Sequence, residues 1–133
     1  MQKTINIIRG LPGSGKSTYA ETLGVPVFEA DQYFIQPNGE YHFDGANLRK
    51  AHEWCQGMVR EVMKRGTGVA VANTFTQEWE VAPYRELAEK YGYTVVITTI
   101  HSKLSDEELA ARNVHGVPAE SIRRMRERWE LMV

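Results

Sequence analysis

Disulfide chemistry is the first thing this sequence lacks: Cys55 is the only cysteine among 133 residues. An internal disulfide framework is excluded, and the chain suits a reducing, cytoplasmic compartment. Cys55 falls within a helical pattern and reads as a small apolar residue rather than a nucleophile. Long hydrophobic runs are missing too. No apolar stretch approaches the length needed to span a bilayer, and the opening residues carry no signal-peptide pattern. Charge of one sign is also scarce: 16 Lys and Arg against 17 Asp and Glu leave a net charge of −1. That balance argues against broad, nonspecific binding to nucleic acid. With no repeats, low-complexity tracts or linker-like stretches, one domain over residues 1–133 is expected.

What is present is concentrated near the start. Residues 10–17 read Gly-Leu-Pro-Gly-Ser-Gly-Lys-Ser, directly after the apolar positions Ile5, Ile7 and Ile8. This is a complete P-loop. Gly10, Gly13 and Gly15 let successive backbone N–H groups point into one concavity that cradles phosphate oxygens. Lys16 carries a point charge suited to the β- and γ-phosphates, and the Ser17 hydroxyl is the expected magnesium ligand. Leu11, Pro12, Ser14 and Thr18 complete the expected binding segment. A helix opening near Gly15 adds its positive N-terminal dipole. Residues 3–9 suit a short buried strand, and residues 17–23 suit a helix with Tyr19, Ala20 and Leu23 on one face. The loop between them therefore has the context that ATP with Mg2+ requires, whereas a plain Gly-rich turn does not.

Strand-like apolar runs recur at 3–9, 25–30, 68–73 and 93–100, separated by helical patterns at 16–23, 46–65 and 78–91. Two more helical patterns follow, near 105–113 and 118–132. Strands alternating with helices predict a three-layer α/β fold, a parallel sheet flanked by helices on both faces. Ligands in such sheets bind beyond the carboxyl ends of the strands. Functional residues are expected just after Arg9, Ala30, Ala72 and Ile100.

After Ala30 comes Asp31, where a carboxylate can accept a proton from an attacking hydroxyl. A helix N-cap is an equal reading from position alone. After Ala72, which cannot bind metal, come Asn73 and Thr74, able to hydrogen-bond substrate or simply to cap a turn. His101 is a poor ligand for magnesium, which prefers oxygen, and reads as a surface or capping residue. His52 reads as a packing residue on its helix. His42 and Asp44 lie in a polar stretch with Tyr41 and Phe43 that suits a substrate-side loop. Further on, two helical segments joined by a Gly/Pro turn suit a lid. Arg112 within it offers a planar fork of donors to phosphate oxygens, or is a surface arginine. Arg123, Arg124, Arg126 and Arg128 alternate with Glu120, Glu127 and Glu130. Half of that pattern reads as a solvated helix face with i,i+4 pairs.

Several segments together resemble one group of P-loop kinases: Gly10 to Thr18, Asp31-x-Tyr33, Ala51-His52-x-Trp54, Asn73-Thr74, Trp79-Glu80-x-x-Pro83-Tyr84, and Arg112-Asn113 with Val117-Pro118. That group includes bacteriophage polynucleotide 5′-hydroxyl kinases and related small AAA-type ATP-binding proteins, and the similarity covers nearly the whole chain. The resemblance implies a kinase-type P-loop NTPase fold with a helical lid at about 105–118. It implies that Lys16 and Ser17 handle ATP and Mg2+, that Asp31 is the general base, and that Arg112 is a lid arginine. It further implies transfer of the γ-phosphate to a hydroxyl of DNA or RNA, a 5′ end or a hydroxymethylated base of phage DNA, in the cytoplasm.

Three departures stand out. Phe34 occupies the place where the phage kinase has an arginine for a substrate phosphate, and an aromatic there can stack on a base instead. Ala72 replaces an aspartate usual in the group. The lid turn offers His115 where further basic residues are expected. Two rival readings follow: a small-molecule kinase with a closed apolar pocket beyond Asp31, and a non-catalytic nucleotide-binding or ATPase module.

Overall fold

In the computed structural model, which describes residues 3–132, four parallel strands form one sheet in the order β2-β3-β1-β4. They are β1 (Thr4–Arg9), β2 (Val27–Phe28), β3 (Val69–Asn73) and β4 (Thr94–Thr99). The α-helices among the described residues are α1 (Lys16–Glu21), α2 (Leu48–Lys64), α3 (Glu78–Tyr91), α4 (Asp106–Arg112) and α5 (Ala119–Glu127). The outer ends of the expected domain, residues 1–2 and 133, lie outside the described residues.

The central strands are apolar on both sides because both sides are covered. Alternation along the strand sends Ile5 and Ile7 of β1, with Val69 and Val71 of β3, into a core completed by Ala51, Cys55 and Val59 of α2 and Tyr84 of α3. Ile8 and Ala72 point the other way, against Ala20 of α1. Each large side chain buried this way stabilises the fold by roughly 1.5–3 kcal/mol. Strand β1 lies between β3 and β4, with Arg9 in register with Asn73 on one side and Thr99 on the other. The loop that leaves Arg9 therefore emerges at the middle of the sheet's carboxyl edge, flanked by two other strand ends.

Four expectations change in detail. The run at 25–30 yields only a two-residue strand, because Pro26 has no N–H to donate and the backbone N–H of Ala30 leaves the ladder to donate to Asn73 Oδ1 at 2.9 Å. The helix expected from residue 46 begins at Leu48, after a 3-10 turn at Gly45–Asn47 whose N-cap, Asp44, accepts from Ala46 N–H at 3.0 Å. Tyr19 is 38% exposed, so α1 packs through Ala20. The final helix stops at Glu127, and the chain then turns back so that Glu130 N–H donates to the Thr76 carbonyl at 2.8 Å. By contrast α3 occupies the expected 78–91 end to end, closed by Gly92 at φ +72°.

Candidate active site

The P-loop takes a path that only its own residues permit. Gly13 and Gly15 have φ of +81° and +98°, a region that side-chain-bearing residues rarely enter. At Gly13 a Cβ would stand 2.7 Å from the Leu109 carbonyl oxygen, so the last turn of α4 lies directly on the loop. At Gly10 a Cβ would stand 2.5 Å from Ser14 Oγ. That hydroxyl is buried and has no partner among the described residues. A buried orphan hydroxyl inside a glycine cradle is what a phosphate oxygen would satisfy.

Lys16 follows the loop and is largely buried. Burial pushes its ammonium below the ordinary lysine value, with Glu29 and then Asp31 pulling in the opposite direction. Glu29 shows the mirror image. Burial pushes its carboxyl above the ordinary value, against a hydrogen bond from Ser17 and the attraction of Lys16 and His115. For both charges desolvation outweighs their mutual attraction. Sequence reasoning missed Glu29. An acidic residue closing the apolar run at 25–30, two positions before Asp31, was the signal available.

Asp31 lies not at a strand end but in a 3-10 turn, Ala30–Phe34. Its place is fixed from the next strand over: Asn73 at the end of β3 anchors Ala30 through the bond already described. Asn73 is thereby a structural cross-link that sets the turn, and its Nδ2 is buried without a hydrogen-bond partner among the described residues. The Asp31 side chain remains 41% exposed. Its Oδ1 accepts from the Tyr41 hydroxyl at 2.9 Å, and its Oδ2 lies 3.5 Å from His115 Nε2. Burial, reinforced by Asp31, pushes the Tyr41 hydroxyl well above the ordinary tyrosine value, so it stays a donor.

Phe34 corrects an expectation. It is 3% exposed and belongs to the core, so it cannot stack on a ligand. The exposed rings nearby are Tyr33, 6.2 Å from Trp54, and Phe43, 5.2 Å from Phe34. Ala72 is fully buried against Ile8 and Ala20. Cys55 is buried beside Tyr84 and Asn73, and burial raises its thiol above the ordinary value, so it is no nucleophile.

The segment from 105 to 127 is built as a helix pair. Ser105 and Glu108 cap α4 reciprocally, at 3.1 and 3.0 Å, and Leu109 and Ile122 are buried where α4 meets α5. Arg112 ends α4 beside Gly13; its side chain is exposed and has no hydrogen bond or ion pair among the described residues. On the other flank of the loop a cavity of about 320 Å³ is lined by Leu11, Ser14, Ile100, His101, Arg126 and Trp129. Arg126 is held there by Asp106 at 2.9 Å, and Trp129 by the buried Arg9 guanidinium, 4.1 Å above its ring. Arg9 also donates to the Phe75 and Thr76 carbonyls at 2.9 and 3.3 Å. These contacts make Arg9 structural.

A parallel sheet with a P-loop at its central strand, helices on both faces and a helix pair on the loop defines the three-layer α/β fold of P-loop kinases. The chain belongs to the AAA domain family, matched over residues 5–132. It is 40% identical over 136 residues to NEDD4-binding protein 2 of Homo sapiens, covering 96% of this chain and 8% of that protein. It is 30% identical over 133 residues to 2′,3′-cyclic-nucleotide 3′-phosphodiesterase of Mus musculus, covering 93% of this chain and 30% of that one. The chain thus spans less than a third of the length of these relatives. Among solved structures, a chain of the Pnkp1/Rnl/Hen1 RNA repair complex superposes with a TM-score of 0.75 at 18% identity, over 96% of this chain and 44% of that one. The APS kinase CysC of Mycobacterium tuberculosis, solved with AMPPNP and APS, gives 0.62 at 18%, over 86% and 70%. These two likenesses concern the fold. Among the described residues no helix is long and apolar enough to cross a membrane.

Proposed function

We propose that this protein is an ATP-dependent kinase that transfers the γ-phosphate to a hydroxyl of a nucleic acid, a 5′ end or a hydroxymethylated base. The observation that carries the reading is Asp31: a partly exposed carboxylate anchored close enough to the buried P-loop lysine to attract it. The loop backbone from Gly10 to Thr18, Lys16 and the orphan Ser14 hydroxyl would bind the triphosphate, with the nucleobase in the cavity beside Leu11 and Trp129. Because α1 is only six residues long, this binding rests on loop N–H groups and Lys16 more than on a helix dipole.

Among the described residues no three His, Cys, Asp or Glu side chains are arranged to hold a metal ion. Magnesium would therefore be shared between Ser17, the Glu29 carboxylate beside it, and phosphate oxygens, as its preference for oxygen and retained water allows. When bound, the ion would neutralise charge on the phosphates. Asp31 would take the proton of the acceptor hydroxyl as that oxygen bonds to the γ-phosphorus and the bond to the β–γ bridging oxygen breaks. Lys16, and Arg112 from a helix pair acting as a lid over about 105–118, would stabilise the charge that builds up on the transferring group. An APS kinase among the proteins that share this fold supports phosphoryl transfer as the reaction class.

One observation favours a small-molecule acceptor as the second reading. Residues 18–48, which include Asp31 and the loop beside it, contain no Lys or Arg, while Glu40 and Asp44 add negative charge. A polyanion would find few phosphate contacts there. The test is transfer of labelled γ-phosphate, with magnesium, to a 5′-hydroxyl oligonucleotide, to DNA containing 5-hydroxymethyluracil and to a panel of nucleosides. Label on either polynucleotide is the expected result. Label confined to nucleosides would transfer the assignment to the second reading, and hydrolysis without transfer would leave an ATPase.

A further inference from the structure

Asp31 is gripped from two sides by residues outside its own turn. The Tyr41 hydroxyl takes one carboxylate oxygen, His115 Nε2 faces the other, and the two flanking rings lie with centroids 4.5 Å apart. Neither partner is loosely attached. Tyr41 pairs with Ile35, and the neighbouring His42 N–H donates to the Phe34 carbonyl at 2.9 Å, so its segment is folded back on the Asp31 turn. His115 is fixed by Asn113, whose Oδ1 accepts from the N–H groups of His115 and Val117 at 3.2 and 2.9 Å. The Asn113 amide nitrogen donates to the carbonyls of Leu109, Ala110 and Val117. The turn between α4 and α5 is therefore wound around one side chain. Among the described residues His115 Nδ1 is buried without a partner, so Nε2 is the ring atom that faces a neighbour. Glu29 also attracts this ring.

We propose that His115 and Tyr41 are positioning residues for Asp31, so that seating of the α4–α5 pair on the P-loop and orientation of the base are one event. The proposal rests on Asp31 being the base. A half-exposed aspartate samples several rotamers; the Tyr41 hydroxyl donating to one oxygen and the His115 ring 3.5 Å from the other select one. Each carboxylate oxygen has two lone-pair directions, so Oδ2, with the His115 ring at 3.5 Å, keeps a direction open for the acceptor proton. The helix pair that presents His115 also carries Arg112 and touches Gly13. The same rigid unit thus reaches the phosphate side and the acceptor side of the site. No Lys or Arg of the 18–48 segment offers an alternative way to hold the carboxylate.

Two measurements on the full chain test this. In ligand-free protein with 15N-labelled histidine, Asp31→Asn is expected to move the imidazole resonances of His115 and leave those of His52 and His101 in place. An unmoved His115 signal would overturn the contact. In the transfer assay, His115→Ala is expected to lower kcat roughly tenfold with little change in KM for ATP, as for a misoriented base. His115→Gln keeps an amide donor, disturbs folding least and should recover much of the loss. In an Asp31→Asn background His115→Ala should cost nothing further, because a positioning residue has then nothing to position. An equal loss in both backgrounds would make His115 merely structural and overturn the proposal. Wild-type transfer by Asp31→Asn alone would remove the base assignment itself, a failure distinct from the other two.

Discussion

Two charges near the P-loop have different roles, Lys16 largely buried and Asp31 with 41% of its side chain exposed. Lys16 has no carboxylate within ion-pair distance among the described residues, only the longer-range pull of Glu29 and Asp31. Its charge is thus left for a ligand. Lys16→Ala is expected to weaken ATP binding by roughly 10- to 100-fold, the loss of a charge-assisted contact worth about 1.5–3 kcal/mol, read by calorimetric titration. Asp31→Asn keeps the shape of the side chain and removes its basicity. It should leave ATP affinity within about twofold while transfer falls by roughly 10²- to 10⁴-fold, and undiminished transfer would refute the assignment. At this scale the P-loop residues were legible, since their spacing is itself the mechanism. Glu29, Tyr41 and His115 were not. Their significance comes from contacts across 10 to 84 residues of chain, formed only when the 3-10 turn, the loop after it and the helix pair fold against each other. Phe34 was misread for a related reason: hydrophobicity alone does not say whether a ring faces a ligand or the core.

Between elements, the contact of Gly13 with α4 separates two reasons for needing glycine. Gly13 and Gly15 both sit at positive φ, but a Cβ on Gly13 meets the Leu109 carbonyl while a Cβ on Gly15 meets nothing within 4 Å. Both alanine variants should lose roughly 1–2 kcal/mol to backbone strain. Only Gly13→Ala should also unseat the helix pair, lowering hydrogen-exchange protection through 106–127 relative to wild type. Equal protection in the two variants would show that α4 does not bear on the loop. Element legibility followed the number of constraints each segment meets locally. Helix α3 has a glycine stop and a glutamine–glutamate cap and was read end to end. The edge strand β2 was overread, because hydrogen bonding to Asn73, invisible in the local pattern, diverts its continuation.

For the molecule as a whole, stability should carry the mark of the buried carboxyl group. Burial raises the folded value of Glu29 above its unfolded one, so the folded state holds more protons between the two. Stability contributed through this group is fully present below the ordinary carboxylate range and is lost as pH rises through the raised value. Lys16, lowered on folding, acts in the opposite sense: stability rises with pH through the window between its lowered value and the ordinary lysine range. Glu29→Gln should therefore stabilise the ligand-free protein by about 1 kcal/mol at neutral pH and above, and by little in acid. Urea denaturation across a pH series measures this, and a difference independent of pH would contradict it.

The clasp of Arg9 around Phe75, Thr76 and Trp129 has a consequence for the order in which the molecule can be made. The residue that ends the first strand waits, during synthesis, for a tryptophan more than a hundred residues later. A nascent chain released only as far as α5 has its phosphate loop written but lacks Trp129 and Leu131 from the wall of the adjoining cavity, and its guanidinium lacks the ring that covers it. The wall of that cavity is thus closed only once the segment through Leu131 has emerged and folded back against the end of the first strand.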